Sequence, residues 1–263
     1  MTGDVAAERE VVVLLHSGGM SSRQWRKLGE LLTPQYRVIA PDFLGSGSNP
    51  PWPPDAPFDF HDDVTAIAES IAGESEPVHV VGHSYGGLIA LTLARLHPSR
   101  VRSVAVFDPV AFGVLHGAND EAALADLART APVLRPADPA TGGNEAWLEA
   151  FVDYWNGPGT WRAMPAPSRS AFLAVGRKVF LEVESLSRDL TPVEAYAALA
   201  VPILVLVGER SPLAARRVAE ILCAGLPSAL LHEVAGAGHM GPISHAGEVN
   251  ALIARHLAAA VMV

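Results

Sequence analysis

The sequence VHVVGHSYG, residues 78–86, joins a short apolar run to a serine that stands between two glycines. The run Val78 to Val81 predicts a buried β-strand, and the residues from Tyr85 onward predict a helix that ends before Pro98. A G-x-S-x-G match in this strand-turn-helix context indicates a sharp turn that holds Ser84 outward on a strained backbone. Ser84 is therefore a candidate nucleophile, and the alternative is an ordinary serine in a glycine-rich turn.

Short β-branched runs alternate with segments of helical periodicity along most of the chain, which is typical of a parallel sheet covered on both faces. The sequence thus predicts an α/β fold. The first helix is expected after a cap at Ser21 or Ser22, with one shared apolar face formed by Trp25, Leu28, Leu31 and Leu32. The predicted strands are Val11–Leu15, Arg37–Ala40, Val78–Val81, Val101–Phe107, Ile203–Val207 and Leu230–Val234.

Residues 111–192 differ from the rest of the chain, because they contain helical stretches and no convincing strand. A segment of this length is too long for a loop inside a compact domain. We therefore predict a helical cap subdomain at 111–192, inserted into a core domain of residues 1–110 and 193–263. Its aromatic side chains are expected mostly to pack rather than to form a ligand cage. They include Trp147, Tyr154, Trp155 and Trp161.

Charge and composition exclude several classes of protein. The chain has 19 basic and 28 acidic side chains, and its net charge of −9 disfavours nucleic acid and anionic membranes as partners. A hydrophobic fraction of 49% excludes a disordered chain. No apolar run approaches the roughly 20 residues that a membrane span needs, and the first ten residues lack the basic region of a secretory signal. We expect a soluble, cytoplasmic protein whose single cysteine, Cys223, is a packed core thiol rather than a reactive one.

A serine hydroxyl needs a base, so a histidine should lie near the carboxyl ends of the strands. His239 is the best candidate, because it follows the last predicted strand in a loop of small residues. His232 lies inside that strand and His245 begins the final helix, so both are expected to be structural. His83 precedes the serine and should point the other way along its strand.

Two further stretches carry a family resemblance. Residues 16–22, HSGGMSS, and residues 40–48, APDFLGSGS, together with the serine turn, resemble the α/β-hydrolase superfamily. The resemblance implies that the backbone amides of Gly18 and Tyr85 form an oxyanion hole and that Asp42 is structural. Ser17 stands where the family usually has glycine.

The third member of the triad departs from the family. An aspartate usually follows the penultimate strand, but here Ser211 occupies that position. Asp108 is the favoured substitute, because it directly follows the neighbouring strand and could reach Nδ1 of His239. The alternative is that Asp108 only caps a turn before Pro109. Glu209 is the reserve candidate for the acid.

The start of the chain departs from the family as well. Family members normally begin with two additional strands that form an antiparallel edge, whereas only about ten residues precede Val11 here. We therefore predict a sheet of about six parallel strands without that edge. The strand at Val38 would then be exposed at one side, where a second subunit could cover it in a homodimer.

These residues predict a serine hydrolase that needs no cofactor or metal and acts on a small, largely apolar acyl substrate through an acyl-enzyme. Carboxylic ester hydrolysis is the first expectation, while lactone, thioester and C–C bond hydrolysis and perhydrolysis stay open. A serine nucleophile argues against dehalogenase and epoxide hydrolase chemistry, which uses aspartate in this superfamily. The competing hypothesis is a ligand receptor with little turnover, in which Ser211 marks the loss of the usual catalytic acid.

Overall fold

The computed structural model describes residues 9–53, 55–134 and 138–260. The acidic first residues, on which the expectation about a secretory signal rests, lie largely outside that part. Within it, a single sheet contains six strands in the order β2-β1-β3-β4-β5-β6, and every pairing is parallel. The predicted fold class is confirmed, with β2 at one edge as expected. Its covering by a second subunit stays a prediction.

The strands and helices alternate along the chain. The strands are β1 (Val11–Leu15), β2 (Arg37–Ile39), β3 (Val78–His83), β4 (Val101–Phe107), β5 (Ile203–Gly208) and β6 (Ala229–Val234). The helices are α1 (Arg26–Leu32), α2 (Phe60–Ser70), α3 (Tyr85–Leu96), α4 (Gly113–Gly117), α5 (Glu121–Leu134), α6 (Glu145–Asn156), α7 (Thr160–Ala163), α8 (Ala166–Leu186), α9 (Leu213–Gly225), α10 (Gly241–Ser244) and α11 (Ala246–Ala260).

The sheet separates two hydrophobic cores. Successive side chains of a strand point to opposite faces, so Val13 of β1 belongs to the core shared with α2, α3 and α9, while its neighbour Leu14 belongs to the core shared with α1 and α11. Strands β1, β3 and β5 are buried at every position and β4 at every position except Arg102, so these four strands are mostly apolar. Because all strands are parallel, their carboxyl ends meet at one edge of the sheet, where the candidate site lies.

Five helices, α4 to α8, lie between β4 and β5, and the described residues of this insertion contain no strand. The insertion is attached to α9 of the core by polar contacts. Oδ2 of Asp126 accepts a hydrogen bond from the Ala214 amide at 3.3 Å, and Asp120 pairs with Arg217 at 2.6 Å. These contacts hold the insertion against the carboxyl end of the sheet.

One local prediction is wrong. The first helix is a 3₁₀ turn at Ser22–Trp25 followed by α1, and Leu31 is 52% exposed rather than buried. Within α1, Leu28 and Leu32 are four residues apart and point inward, whereas Leu31 lies about 100° around the helix axis from Leu32 and faces solvent. Cys223 is half-buried against the core, and burial raises the pKa of its thiol to about 11. In the described residues, no helix has the length and apolar character needed to cross a bilayer.

Candidate active site

The turn between β3 and α3 presents Ser84 at the carboxyl end of the sheet. The backbone of Ser84 has φ +55° and ψ −115°, a strained combination for a residue with a side chain. A Cβ on Gly82 would lie 2.2 Å from the carbonyl oxygen of Gly86, so the turn closes only with glycine there. The predicted sharp turn is present, and it directs Ser84 toward the insertion.

Ser84, His239 and Asp108 form a continuous chain of hydrogen bonds. Nε2 of His239 lies 3.0 Å from Oγ of Ser84, and Nδ1 lies 2.9 Å from Oδ2 of Asp108. The carboxylate can only accept, so Nδ1 carries the proton and Nε2 is free to accept from the serine hydroxyl. The geometry brings together the three residues that the sequence singled out, although they are up to 155 positions apart.

The carboxylate of Asp108 is buried and has three hydrogen-bond donors around it. Besides His239, the Ser211 hydroxyl donates to Oδ2 at 2.6 Å and the Gly208 amide donates to Oδ1 at 3.2 Å. Asp108 itself has φ +45°, a left-handed conformation that aspartate tolerates better than most residues. Glu209, the reserve candidate, is exposed and accepts a hydrogen bond from the Gly236 amide at 2.6 Å.

A buried network holds the backbone of the histidine loop. Nε2 of His83 donates to the carbonyl oxygen of His239 at 2.7 Å, and its Nδ1 accepts from Gln24 at 3.0 Å. Burial, reinforced by the nearby His239 ring, holds the pKa of His83 well below its usual value, so the ring is neutral as these contacts require. Gln24 in turn accepts from the amide and the hydroxyl of Ser17, which explains why a serine is accommodated there.

The loop after β1 is fixed by two polar groups. Nδ1 of His16 donates to the carbonyl of Ser17 at 2.8 Å, and its Nε2 accepts from the Phe43 amide at 3.2 Å. Asp42 accepts from the amides of Ser22 and Ser48 at 2.7 and 2.8 Å. Partial burial opposes ionisation of Asp42, but these hydrogen bonds outweigh it and lower its pKa to about 2.

Gly18 and Tyr85 lie on the wall of the same cavity as Ser84. A Cβ on Gly18 would be 3.9 Å from the Cβ of Tyr85, so the two backbones approach each other beside the serine. Tyr85 is also the first residue of α3, where amides have no partner inside the helix. The positive end of the helix dipole therefore points at this position.

Comparisons with known proteins identify the family of the chain. A family model described as the alpha/beta hydrolase fold matches residues 10–246. The chain belongs to the α/β-hydrolase family. A pimeloyl-[acyl-carrier protein] methyl ester esterase from Chromobacterium violaceum is 28% identical over 94% of this chain and 93% of that protein. Lipase LipV of Mycobacterium tuberculosis is 36% identical, but the match spans only 37% of this chain and 36% of the lipase.

Solved structures of low sequence identity share the fold. The enol-lactonase of Burkholderia xenovorans LB400 superposes with a TM-score of 0.73 at 20% identity, covering 97% of this chain and 94% of the lactonase. MenH from S. aureus gives a TM-score of 0.72 at 20% identity, with coverage of 96% and 95%. The family assignment identifies the protein as an α/β hydrolase, an enzyme class with many substrates.

In this hydrolase the insertion contributes a side chain that sequence reasoning missed. The indole of Trp155 stacks on the His239 imidazole, with ring centroids 3.9 Å apart and planes inclined by 25°. Trp147 and Trp161 are buried in packing positions, as expected for the aromatic residues of the insertion. The sequence signal for Trp155 was its place in an aromatic-rich helix, but nothing local distinguishes it from the packing residues.

Two cavities adjoin Ser84. The first encloses about 80 Å³ open to water-sized molecules and is lined mainly by apolar side chains, among them Val110, Phe112 and Leu186. The second, on the side of His239 and Trp155, encloses about 370 Å³ and is more open. Ser84 thus lies on the walls of a smaller and a larger cavity.

A buried ion cluster lies behind the first cavity. Nζ of Lys178 donates to Asp63 at 3.0 Å and to Oε1 of Glu182 at 2.9 Å, and the Tyr85 hydroxyl donates to Asp63 at 2.7 Å. Burial of Lys178 opposes its charge, but the two carboxylates outweigh burial and raise its pKa. Sequence reasoning missed this cluster, because its members come from α2, α3 and α8. Across the described residues, no three His, Cys, Asp or Glu side chains are grouped in a way that could hold a metal ion.

Proposed function

We propose that this α/β hydrolase is a serine esterase that cleaves small, largely apolar carboxylic esters through an acyl-enzyme. The observation that carries the proposal is the hydrogen-bonded chain from Asp108 through His239 to Ser84. The esterase, lipase and lactonase names of the similar proteins support ester chemistry. They leave the substrate open.

In the proposed mechanism, Oγ of Ser84 attacks the ester carbonyl while Nε2 of His239 takes its proton. The same ring then gives that proton to the departing alcohol oxygen, leaving the acyl group on the serine. Water then attacks the acyl-enzyme while Nε2 of His239 takes its proton, and the ring returns that proton to Oγ of Ser84 as the acid leaves. Asp108 holds Nδ1 protonated throughout and stabilises the imidazolium that forms in each half-reaction.

The amides of Gly18 and Tyr85 are proposed to hold the oxyanion of each tetrahedral intermediate. Their place beside Ser84 and the orientation of α3 support this role. One such donor typically contributes about 10²- to 10³-fold to kcat. Two backbone amide dipoles would thus stabilise the negative charge that develops on the carbonyl oxygen.

We assign the acyl group to the first cavity and the alcohol to the second. The first cavity is small and mostly apolar, which suits a short acyl chain, while the second is larger and more open. Phe151 and Trp155 of the insertion line both cavities. We therefore propose that residues 111–192 act as a cap that selects substrates for the core of residues 1–110 and 193–263.

The test is a labelling and turnover experiment on wild type and Ser84→Ala, with Ser228→Ala as a matched control away from the cavities. A fluorophosphonate should label the wild type and the control with one equivalent, while Ser84→Ala stays unlabelled. Hydrolysis of phenyl butanoate should fall by more than about 10³-fold in Ser84→Ala. Folded wild-type protein that neither takes the label nor cleaves a panel of short esters would refute the proposal and favour a receptor.

A further inference from the structure

Glu182 is a buried carboxyl group that the proposed mechanism does not use. Its side chain is 2% exposed and lines the cavity at Ser84. Oε1 accepts from Lys178, whereas no hydrogen bond to Oε2 is present among the described residues. A Cβ on Gly18 would lie 2.8 Å from Oε2, so this oxygen is next to the proposed oxyanion hole.

The charges around Glu182 determine what this oxygen can do. Lys178 is the cation that contacts both carboxyl groups, those of Asp63 and Glu182. An ionised Glu182 beside the oxyanion hole would repel the charge that develops there during catalysis. Burial, with a further contribution from Asp63, raises the pKa of Glu182 despite the opposing effect of Lys178. The carboxyl group of Glu182 thus holds a proton more readily than an exposed glutamate does.

The position of Lys178 also fixes which oxygen carries the proton. The ammonium group donates to Oε1, which must therefore remain an acceptor. The proton of a neutral Glu182 is then on Oε2, the oxygen beside Gly18. A hydroxyl donor in an otherwise mostly apolar wall is costly unless a ligand satisfies it.

We propose that Glu182 is a specificity-determining residue that binds a hydroxyl or keto oxygen of the acyl group, within two carbons of the scissile carbonyl. The inference rests on the proposed esterase function and names its substrate class: short oxygenated acyl esters. The distance limit follows from the proximity of Oε2 to Gly18, which would hold the carbonyl oxygen. A cationic group is disfavoured there, because it would approach the Lys178 ammonium.

The experiment compares esters of the same size and different polarity. The first pair is phenyl 3-hydroxybutanoate and phenyl 3-methylbutanoate, and the second pair carries the same substituents at carbon 2. For the wild type, kcat/KM should favour the hydroxy ester in one of the pairs by about 10-fold or more. Phenyl 3-oxobutanoate should behave like the preferred hydroxy ester if the pair at carbon 3 is the sensitive one.

The variants separate recognition from structure. Glu182→Leu should lower the ratio of kcat/KM between the two members of the sensitive pair by about 10-fold, and it leaves Lys178 paired with Asp63. Glu182→Gln should keep most of the preference, because its amide both donates and accepts. Glu184→Gln, on the same helix but exposed and paired with Arg188, is the matched control and should match the wild type.

The outcomes distinguish this inference from the proposed function. If the wild type cleaves phenyl butanoate but shows no preference in either pair, the inference is refuted while the esterase proposal stands. A parallel loss of both members of a pair in Glu182→Leu would show a purely structural role and also refute it. If no ester is cleaved and Ser84 takes no label, both proposals fail.

Discussion

Replacing Asp108 with asparagine tests the most unusual part of the candidate triad, because the exchange keeps the shape and removes the charge. In the native site, Oδ2 faces two donors, His239 Nδ1 at 2.9 Å and the Ser211 hydroxyl at 2.6 Å. Oδ1 faces the Gly208 amide at 3.2 Å. An asparagine has one acceptor oxygen and one amide nitrogen to distribute between these positions.

Counting hydrogen bonds gives the orientation of the new side chain. With its oxygen toward His239, the introduced asparagine would place its NH₂ group against the Gly208 amide, donor against donor. With the oxygen toward Gly208, the NH₂ group donates to Nδ1 of His239 and to the Ser211 oxygen, so every group is satisfied. The second orientation is therefore favoured, and it forces the proton of His239 onto Nε2, where the ring can no longer accept from Ser84.

The expected loss in kcat is about 10⁴-fold, the size seen for the same exchange in a serine protease. This corresponds to about 5.4 kcal/mol of transition-state stabilisation. Steady-state hydrolysis of phenyl butanoate measures the loss, and circular dichroism with a thermal melt checks that the fold persists. Glu209→Gln is the matched control and should stay within about 2-fold of wild type, because its carboxylate contacts Gly236 instead.

Activity of Asp108→Asn within about 10-fold of wild type would refute the tautomer argument. A severe loss in Glu209→Gln together with an active Asp108→Asn would move the acid to the loop after β5. In the Asp108→Asn background, Ser211→Asp should restore part of the activity, because it supplies a carboxylate to the same neighbourhood.

Three further outcomes follow from other contacts of the site. Ser211→Ala should lower kcat/KM for phenyl butanoate by about 10-fold, because Asp108 loses a charge-assisted hydrogen bond; an unchanged value would contradict this. Trp155→Leu should lower kcat by on the order of 10- to 100-fold, because the His239 ring is held less well without the indole. Trp155→Phe should keep most of the stacking and most of the activity, and equal losses in both variants would argue for a different cause. Asp42 has a pKa lowered to about 2, so its contribution to the free energy of unfolding is present above pH 4 and is lost as the pH falls toward 2. Urea unfolding between pH 5 and 2 should therefore show a steeper loss for wild type than for Asp42→Asn, and parallel curves would count against this role.

Local signals were sufficient for the fold and for the strand ends that carry the candidate site. The strands near the middle of the sheet are mostly apolar, and the glycines that the turn at Ser84 requires are recognisable in the sequence. Asp108 and His239 were found by their position just after a strand, since carboxyl ends of parallel strands meet at one edge. Their catalytic roles remain predictions.

Long-range side-chain contacts could not be predicted in the same way. Lys178 and Asp63 are 115 residues apart, and each alone reads as an ordinary charged residue on a helix. Trp155 and Trp147 lie on the same helix, α6, but Trp155 is on the face that is turned toward His239. Which face is turned that way depends on how the insertion packs. Leu31 lies at the edge of the apolar face of α1, and the spacing of apolar residues alone does not locate that edge.

The register between β4 and β5 explains why the acid can follow either strand. Phe107 of β4 pairs with Leu206 of β5, and the Asp108 amide donates to the Leu206 carbonyl at 2.9 Å. The loop after β5 then returns Ser211 to within hydrogen-bond distance of the Asp108 carboxylate. Positions 108 and 211 thus reach one point beside His239, and two carboxylates there would repel each other. A serine opposite Asp108 is the donor that a buried carboxylate needs, so Ser211 is no sign of lost catalysis.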